Sequence, residues 1–276
     1  MVTTCSSLVP RWCSTVAAST LHWREYILEA LELACFMVSA LLVTAIIEHP
    51  ASPVRHALSS PVLRRAATGL AMGLTAAAII YSPWGRRSGA HFNPSVTLTF
   101  LRLGKVAPRD AVFYVIAQFM GAAAGVAIVT AALRSVVSDP TVNYVATMPG
   151  SQGTAAAFLA ELAISFGMMT MILLVSNSTR YARFTGAIGA GLVALYITVE
   201  APLSGMSMNP ARSLAPALAA GHLEALWIYF AAPPLGMLLA AELYVRRYGH
   251  STLRCAKLHH PSGGNCHFQC GMRAPA

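Results

Sequence analysis

The sequence predicts an all-α membrane protein in which six transmembrane helices and two re-entrant half-helices form an inverted repeat. Three observations support this fold class. The 276-residue chain is 56% hydrophobic and 11% charged, whereas ordinary soluble domains carry about 25% charged residues. A short motif, Ser-Gly and then Asn-Pro after three further residues, occurs twice. Lys and Arg gather on one side of the predicted spans, as the positive-inside rule requires.

Six apolar runs are long enough to cross a bilayer, which takes about 20 residues. They lie near residues 26–47, 62–81, 111–133, 155–175, 184–203 and 226–245. Residues 1–24 contain Arg11 within a weakly apolar stretch and no convincing cleavage site, so we predict a cytoplasmic tail and not a signal peptide. The predicted domains are this tail, a membrane domain with its two halves, and a C-terminal tail: 1–24, 25–247 (halves about 25–133 and 154–247) and 248–276.

Each Asn-Pro pair predicts the start of a helix. Asn93 and Asn209 are favourable N-caps, and Pro94 and Pro210 suit the first helical position, where no N–H partner is needed. The apolar run after Asn93 ends at Leu103, giving about 15 Å of helix, half of a bilayer. Backbone ends at this depth are tolerated only inside protein or against water, so such half-helices indicate a transport path.

The order of these elements predicts an inverted repeat. Three spans and a half-helix occur twice, and because three is odd, the second half enters the membrane from the opposite side. The two half-helices then meet at their N-termini near the midplane.

The distribution of Lys and Arg predicts that both termini lie in the cytoplasm. With the N-terminus inside, the cytoplasmic side holds Arg11, Arg24, Arg86, Arg87, Lys105, Arg109, Arg180, Arg183, Arg246, Arg247, Arg254 and Lys257. The other side holds Arg55, Arg64, Arg65 and Arg134, of which Arg64 and Arg65 fit the rule least well. This asymmetry accounts for the net charge of +9 without a nucleic-acid partner.

The paired Asn-Pro boxes, the six spans and Arg212 directly after the second box resemble the aquaporin, or major intrinsic protein, family. The resemblance runs from about residue 29 to 244. Ser95 departs from the alanine that Ala211 retains in the second box. The resemblance implies a multi-pass homotetramer of the plasma membrane that is not an enzyme and needs no cofactor for transport. Its partners would be water, small neutral solutes and the lipid bilayer.

The two boxes are the predicted pore centre. The asparagine oxygens would cap the half-helices while their amide N–H groups orient a passing water, and the helix dipoles would oppose cations and relayed protons. The residues predicted here are Asn93, Pro94, Ser95, Asn209, Pro210 and Ala211.

Arg212 is the predicted core of a narrow selectivity filter, because a guanidinium at membrane depth is costly and suggests function. A snorkelling or ion-paired arginine is the alternative. The resemblance implies three filter partners: Met72 from the second span, Ile197 or Thr198 from the fifth, and Met206 from the loop before the second box. This ring would be apolar on three sides and matches neither the strict water channels nor the glycerol channels.

Three further residues carry expectations from the resemblance. Glu32 and Glu161 would be the family's repeated membrane glutamates, supporting the loops before the half-helices; proton transfer is the alternative reading. His91 would face the cytoplasmic pore mouth, or else be a packed loop histidine.

The expected function is a passive channel for water, with small neutral solutes left open. Ser213 and Ala217 favour the water branch over the glycerol branch of the family. The alternatives are a glycerol or small-solute facilitator of the same fold, a proton-coupled secondary transporter, and a structural membrane protein with a closed pore.

The C-terminal tail contains three cysteines and three histidines within sixteen residues. Cys255, His259 or His260, Cys266 and Cys270 have the ligand types for a tetrahedral zinc site. Disulfides are disfavoured in the cytoplasm. We therefore expect either a zinc site that docks the tail near the cytoplasmic mouth, a redox-sensing cluster, or a reduced or palmitoylated tail.

Overall fold

The computed structural model describes residues 21–260, 266–268 and 270. Within them the chain forms eleven α-helices and three short 3₁₀ turns. The helices are α1 (Trp23–Glu48), α2 (Pro53–Ala57), α3 (Pro61–Tyr81), α4 (Pro83–Ser88), α5 (Pro94–Arg102), α6 (Pro108–Val137), α7 (Gly153–Ser176), α8 (Thr185–Val199), α9 (Ala201–Ser204), α10 (Pro210–Ala220) and α11 (Leu226–Tyr248).

The six predicted spans are confirmed in the described part of the chain. Helices α1, α3, α6, α7 and α11 are long and apolar enough to cross a membrane, and so is α8 together with the 3₁₀ turn before it, Ala182–Val199. The fifth span is shorter than the predicted 184–203 run, because the helix ends at Val199 and a separate turn of helix, α9, follows it. The first span begins at Trp23, inside the predicted 1–24 tail, whose first twenty residues lie outside the described chain.

The spans pack as three close pairs, α1 with α6, α7 with α11, and α3 with α8. A glycine lies at each contact, as expected where helices approach closely in lipid. A Cβ atom added at Gly121 of α6 would lie 2.1 Å from the Ala30 carbonyl oxygen of α1, and one at Gly236 of α11 would lie 2.4 Å from the Leu162 oxygen of α7. Any side chain there would force the helices apart.

The two half-helices, α5 and α10, begin where the sequence predicts. The Asn93 side chain accepts from the Ser95 N–H, and the Asn209 side chain accepts from the N–H groups of Ala211 and Arg212. Each half-helix follows a short helix, α4 or α9, that ends at a glycine with positive φ: Gly89 at 109° and Gly205 at 81°. The chain can therefore reverse sharply before it enters the half-helix.

Because six spans return the chain to its starting side, α1 begins and α11 ends on the same face. We call it the terminal face. The C-terminal tail remains there, since the His267 ring lies 5.1 Å from the ring of His22. The long connection between α6 and α7 lies at the opposite face.

Candidate functional site

The two Asn-Pro boxes meet in the middle of the molecule. The Asn93 amide nitrogen donates to the Met208 carbonyl at 2.8 Å, and the Asn209 amide nitrogen donates to the Phe92 carbonyl at 2.8 Å. Each asparagine thus caps its own half-helix and is tied to the loop before the other one. An amide has two hydrogens, so each side chain retains a second one to donate to a molecule in the channel.

Buried carboxylates support the two loops, and here the structure corrects the sequence interpretation. Glu161 accepts the backbone N–H groups of Ser207 and Met208, at 2.6 and 2.7 Å. The matching N–H groups, of His91 and Phe92, donate to Glu29 at 2.9 and 2.7 Å. The backbone N–H contacts that we expected of Glu32 are therefore made by Glu29, which is the counterpart of Glu161 in this respect.

Glu32 contacts the same loop in a different way. Its side chain accepts from the Ser88 hydroxyl at 2.7 Å, and in the second half the Ser204 hydroxyl lies within hydrogen-bond distance of both Glu161 and Glu200. Leu-Ala follows both Glu32 and Glu161, so the local sequence pairs these two glutamates. Glu29 lies three residues earlier on the same helical face, so periodicity could not separate the two.

Sequence reasoning also missed a pair of tyrosines. The Tyr114 hydroxyl donates to the Ser88 carbonyl, and the Tyr229 hydroxyl donates to the Ser204 carbonyl, both at 2.5 Å. Both tyrosines are fully buried. Each fixes the end of the short helix that precedes a half-helix, which completes an equivalent scaffold around both loops.

A cavity of about 300 Å³ passes between the boxes. Its wall includes Asn93 and Asn209. The other predicted pore-centre residues are buried but lie outside this wall: Pro94, Ser95, Pro210 and Ala211. Among described atoms the Ser95 hydroxyl has no hydrogen-bond partner.

The predicted filter residues surround the same cavity toward the opposite face. Met72, Ile197, Met206 and Arg212 all contribute to the wall. Thr198 does not; its hydroxyl instead donates to the Ala194 carbonyl within α8, at 2.7 Å. Of the two alternatives for the fifth span, the geometry thus favours Ile197.

A loop at the opposite face orients Arg212. The Arg212 Nη1 atom donates to the Val145 carbonyl at 2.8 Å. Val145 and the two residues before it all have positive φ, between 42° and 55°, a strained conformation for side chains other than glycine. The turn directs the Val145 carbonyl toward the Arg212 guanidinium and so positions that side chain. The sequence did not reveal this contact.

His91 lies in the cavity wall near the terminal face. It is 1% exposed, and its ring contacts Thr97 Oγ1 at 3.1 Å through Nδ1 and the Ala256 carbonyl at 2.9 Å through Nε2. The ring also stacks on Phe268, with centroids 5.4 Å apart. His91 therefore lies at the mouth and is packed, because the C-terminal tail covers it.

The tail bonds directly to the loop before the first half-helix. The Leu258 N–H donates to the Gly89 carbonyl at 3.0 Å, and the Lys257 ammonium donates to the Arg86 carbonyl at 2.8 Å. Leu258 is itself part of the cavity wall. The His267 ring contacts the Tyr114 hydroxyl at 2.9 Å. The tail thus occupies the end of the cavity at the terminal face.

Beside these contacts the tail gathers four potential metal ligands. The donor atoms of Cys255, His260, Cys266 and Cys270 all lie within 4.8 Å of one another. His259, the alternative ligand, instead places its ring edge-on to Tyr81 at 4.9 Å. The structure thus favours His260. Its three cysteines are not joined in disulfides.

The cluster perturbs its own thiols. The hydrogen bond between Cys255 and Cys266 lowers the pKa of the Cys266 thiol to about 5, although burial opposes this. The same hydrogen bond, aided by burial, raises the pKa of Cys255.

These features define a class of protein: a helical membrane channel built from two inverted halves, with asparagine amides in the cavity wall where its half-helices meet. The comparisons with known proteins specify the family. Residues 16–244 match the model of the Major intrinsic protein family. The chain belongs to the major intrinsic protein family, as its motifs predict, and the members of this family are channels and not enzymes.

Individual relatives agree with this assignment. The chain is 39% identical to glycerol uptake facilitator protein-like 6 of Lactiplantibacillus plantarum over 63% of its own length and 82% of that protein. It is 36% identical to aquaporin NIP6-1 of Arabidopsis thaliana over 62% of its own length, and this match spans about half of the plant protein, 54%. The X-ray structure of the aquaglyceroporin from Plasmodium falciparum has the same fold, with a TM-score of 0.66 at 19% identity, over 81% of this chain and 96% of that one.

Proposed function

We propose that this protein is a passive channel for water and small neutral solutes. The observation that carries the proposal is that Asn93, Asn209 and Arg212 share the wall of one cavity. All three are polar groups with spare donors, and they lie in a wall that is otherwise largely apolar. Such a path offers hydrogen bonds to a neutral hydroxylic molecule at a few fixed points.

The same geometry disfavours ions. The N-termini of α5 and α10 both point at the centre of the cavity, so their positive dipole ends repel a cation or a relayed proton. The positive charge of Arg212 is a second barrier to cations, and it lies closer to the opposite face. An anion would have to leave water for an apolar wall, which is costly.

The filter proposed for this channel consists of Met72, Ile197, Met206 and Arg212. Methionine side chains are flexible and adapt to what they contact, so the width of this ring is not fixed by rigid aromatic groups. This favours a second candidate, a glycerol facilitator, which the name of the relative from L. plantarum also suggests.

A proton-coupled transporter is less consistent with the site. Glu29, Glu32, Glu161 and Glu200 all accept hydrogen bonds from the loops, and none of them lines the cavity. They support the path and do not face it. The carboxylate that does line the cavity, Glu48, is paired with Arg64 at 2.9 Å.

The remaining proposals concern placement and assembly. We propose that the channel domain comprises residues 25–247, with tails at 1–24 and 248–276, and that both termini lie in the cytoplasm of a cell whose plasma membrane holds the protein. We also propose a homotetramer, as the resemblance implies, and a zinc ion in the C-terminal tail, for which the ligands are argued below.

Stopped-flow light scattering on proteoliposomes tests the transport proposal. The protein is prepared with a metal chelator and a thiol reductant, so that the tail cluster is empty, and the vesicles are challenged with sucrose and then with glycerol. Shrinkage faster than in empty liposomes is expected. Slow glycerol entry would support the water channel, whereas fast entry would support the glycerol facilitator.

Two neighbouring substitutions test the filter. Ile197→Ala should widen the ring and raise glycerol entry several-fold, because Ile197 lines the cavity. Thr198→Ala is the matched control and should leave the rate of glycerol entry unchanged, because the Thr198 hydroxyl donates to a carbonyl within α8. Arg212→Ala should admit cations that the wild type excludes. If Thr198→Ala alters the rate of glycerol entry and Ile197→Ala does not, the assignment of Ile197 to the filter is wrong.

A further inference from the structure

Two short segments of the C-terminal tail, 255–260 and 266–270, each supply two of the four clustered ligands. The Cys255 and Cys266 sulfurs are 3.5 Å apart, and the Cys270 sulfur lies 3.4 Å from His260 Nε2. We propose that Cys255, His260, Cys266 and Cys270 form a tetrahedral zinc site, and that the bound ion fixes the tail as a plug in the terminal-face mouth of the channel. The plug rests on the proposed transport function, whereas the metal site does not.

The spacing of the donor atoms suits zinc. A tetrahedral ion with Zn–S bonds of about 2.3 Å places its ligand sulfurs about 3.7 Å apart. The sulfurs of Cys255 and Cys266 are close to this separation and far from the roughly 2.0 Å of a disulfide. Three thiols and one imidazole are a donor set of the kind found in structural zinc sites, in which all four positions are filled by protein.

The surroundings suit a thiolate-rich ion site. Three thiolates, a neutral imidazole and Zn²⁺ sum to one negative charge. Lys257 is 6% exposed and carries a positive charge next to Cys255 in the tail. Its backbone N–H also approaches the Cys255 sulfur at 3.5 Å, and such a donor stabilises a thiolate. On binding, the thiols release their protons to solvent, and no oxidation or reduction takes place.

The ion would bring together the two parts of the tail that close the mouth. Segment 255–260 carries Leu258, which lines the cavity and bonds to Gly89. Segment 266–270 carries Phe268, which stacks on His91. A Cβ atom at Gly89 would lie 2.6 Å from the Phe268 ring. Only glycine at position 89 therefore leaves room for Phe268.

Contacts with the channel, such as those of Leu258 with Gly89 and of Lys257 with Arg86, hold the tail in place, but the described residues 255–260, 266–268 and 270 form no helix of their own. A segment of about sixteen residues buries too little apolar surface to fold on its own, and in small domains a structural metal commonly supplies the missing free energy. Removal of the ion should therefore loosen both segments and open the mouth, while the spans, which pack without the tail, remain folded.

Cobalt titration tests the site without any transport measurement. The full-length, metal-free protein in detergent is titrated with CoCl₂, and one equivalent is expected to give the visible bands of tetrahedral cobalt with thiolate ligands. His260→Ala and Cys266→Ser should weaken or abolish these bands. His259→Ala is the matched control and should retain them. Absence of the bands in the wild type, or a Cys255–Cys266 disulfide under reducing conditions, would overturn the site.

Water permeability tests the plug. Proteoliposomes with zinc-loaded protein are compared before and after a membrane-permeant chelator, and permeability should rise several-fold on chelation and fall again when zinc is restored. The Cys266→Ser variant should have high water permeability that neither the chelator nor added zinc changes. Phe268→Ala leaves all four ligands in place, so this variant should still bind cobalt. Its water permeability should nevertheless be high when zinc is bound, because the ring that stacks on His91 is missing.

The outcomes separate the two proposals. Cobalt binding with high permeability that chelation does not change would overturn the plug and leave the channel standing. Permeability equal to empty liposomes, with and without zinc and in the Phe268→Ala variant, would overturn both the channel and its closure, while the cobalt titration would still decide the metal site.

Discussion

Asn93 and Asn209 each make contacts that a single sequence motif cannot reveal. The oxygen of each side chain caps a half-helix, as an N-cap asparagine commonly does. The nitrogen of each donates to the loop of the other half. Since both amides are held at two points, their remaining hydrogens have a fixed direction, and a passing water would meet preorganised donors.

The first prediction concerns the buried carboxylates of α1. Glu29 accepts from two backbone N–H groups and from Gln118 Nε2, at 2.7 Å, whereas Glu32 accepts from one hydroxyl and has an oxygen without a partner among described atoms. Glu29→Gln should therefore lower the free energy of unfolding by about 1–3 kcal/mol, and Glu32→Gln by less.

Thermal unfolding of the two variants in detergent measures this difference. The substitutions change the same charge on the same helix, so each serves as control for the other. Water permeability should fall with Glu29→Gln as the first half-helix loses its support. If Glu32→Gln destabilised the protein more than Glu29→Gln, then Glu32 would be the main support of the first loop, as the sequence suggested.

At the scale of elements, the molecule is held by helix pairs that repeat between its halves. The contact of α1 with α6 corresponds to that of α7 with α11, and α3 packs on its own counterpart α8. Each relies on a glycine facing a carbonyl oxygen of the partner helix. Lipid gives little hydrophobic drive for helix association, so close packing has to supply it.

The second prediction follows from these contacts. Gly121→Val places a side chain where a Cβ atom alone would lie 2.1 Å from the Ala30 carbonyl. Overpacking of this kind costs about 1–3 kcal/mol or more, so folded yield and melting temperature should both fall. Gly191→Val is the control, since a Cβ there meets nothing within 4 Å in the described structure. Equal losses in the two variants would contradict close packing as the cause.

At the scale of the whole molecule, orientation in the membrane depends on where charges are exposed. The two arginines that fit the positive-inside rule least well are both engaged on the opposite face. Arg64 Nε donates to Glu48 at 2.9 Å, and Arg65 Nε donates to the Thr198 carbonyl at 3.0 Å. Glu48 offsets the charge of Arg64, and the Thr198 carbonyl accepts from Arg65. We therefore expect the terminal face, which holds more of the basic side chains, to decide the orientation.

The third prediction is the resulting topology. In bacterial cells, a fluorescent protein fused after residue 276 should fluoresce, and alkaline phosphatase fused there should be inactive. Alkaline phosphatase fused after residue 150, between α6 and α7, should be active because that connection would lie outside. The reverse pattern of activities would contradict a cytoplasmic terminal face.

The sequence by itself determined the architecture of this protein. Long apolar runs have no stable alternative to spanning helices in a bilayer, and two Asn-Pro boxes in one frame mark two half-helices whatever surrounds them. Arg212 was identifiable in the same way, because a charge beside a half-helix is too costly to be incidental.

The tertiary structure decided which of several nearby side chains makes each functional contact. The pairs Glu29 and Glu32, Ile197 and Thr198, and His259 and His260 are separated by one to three residues. A helix turns by about 100° per residue, so a small uncertainty in register changes what a side chain faces. Only the packing of the two halves against each other, and of the tail against the mouth, fixes that register.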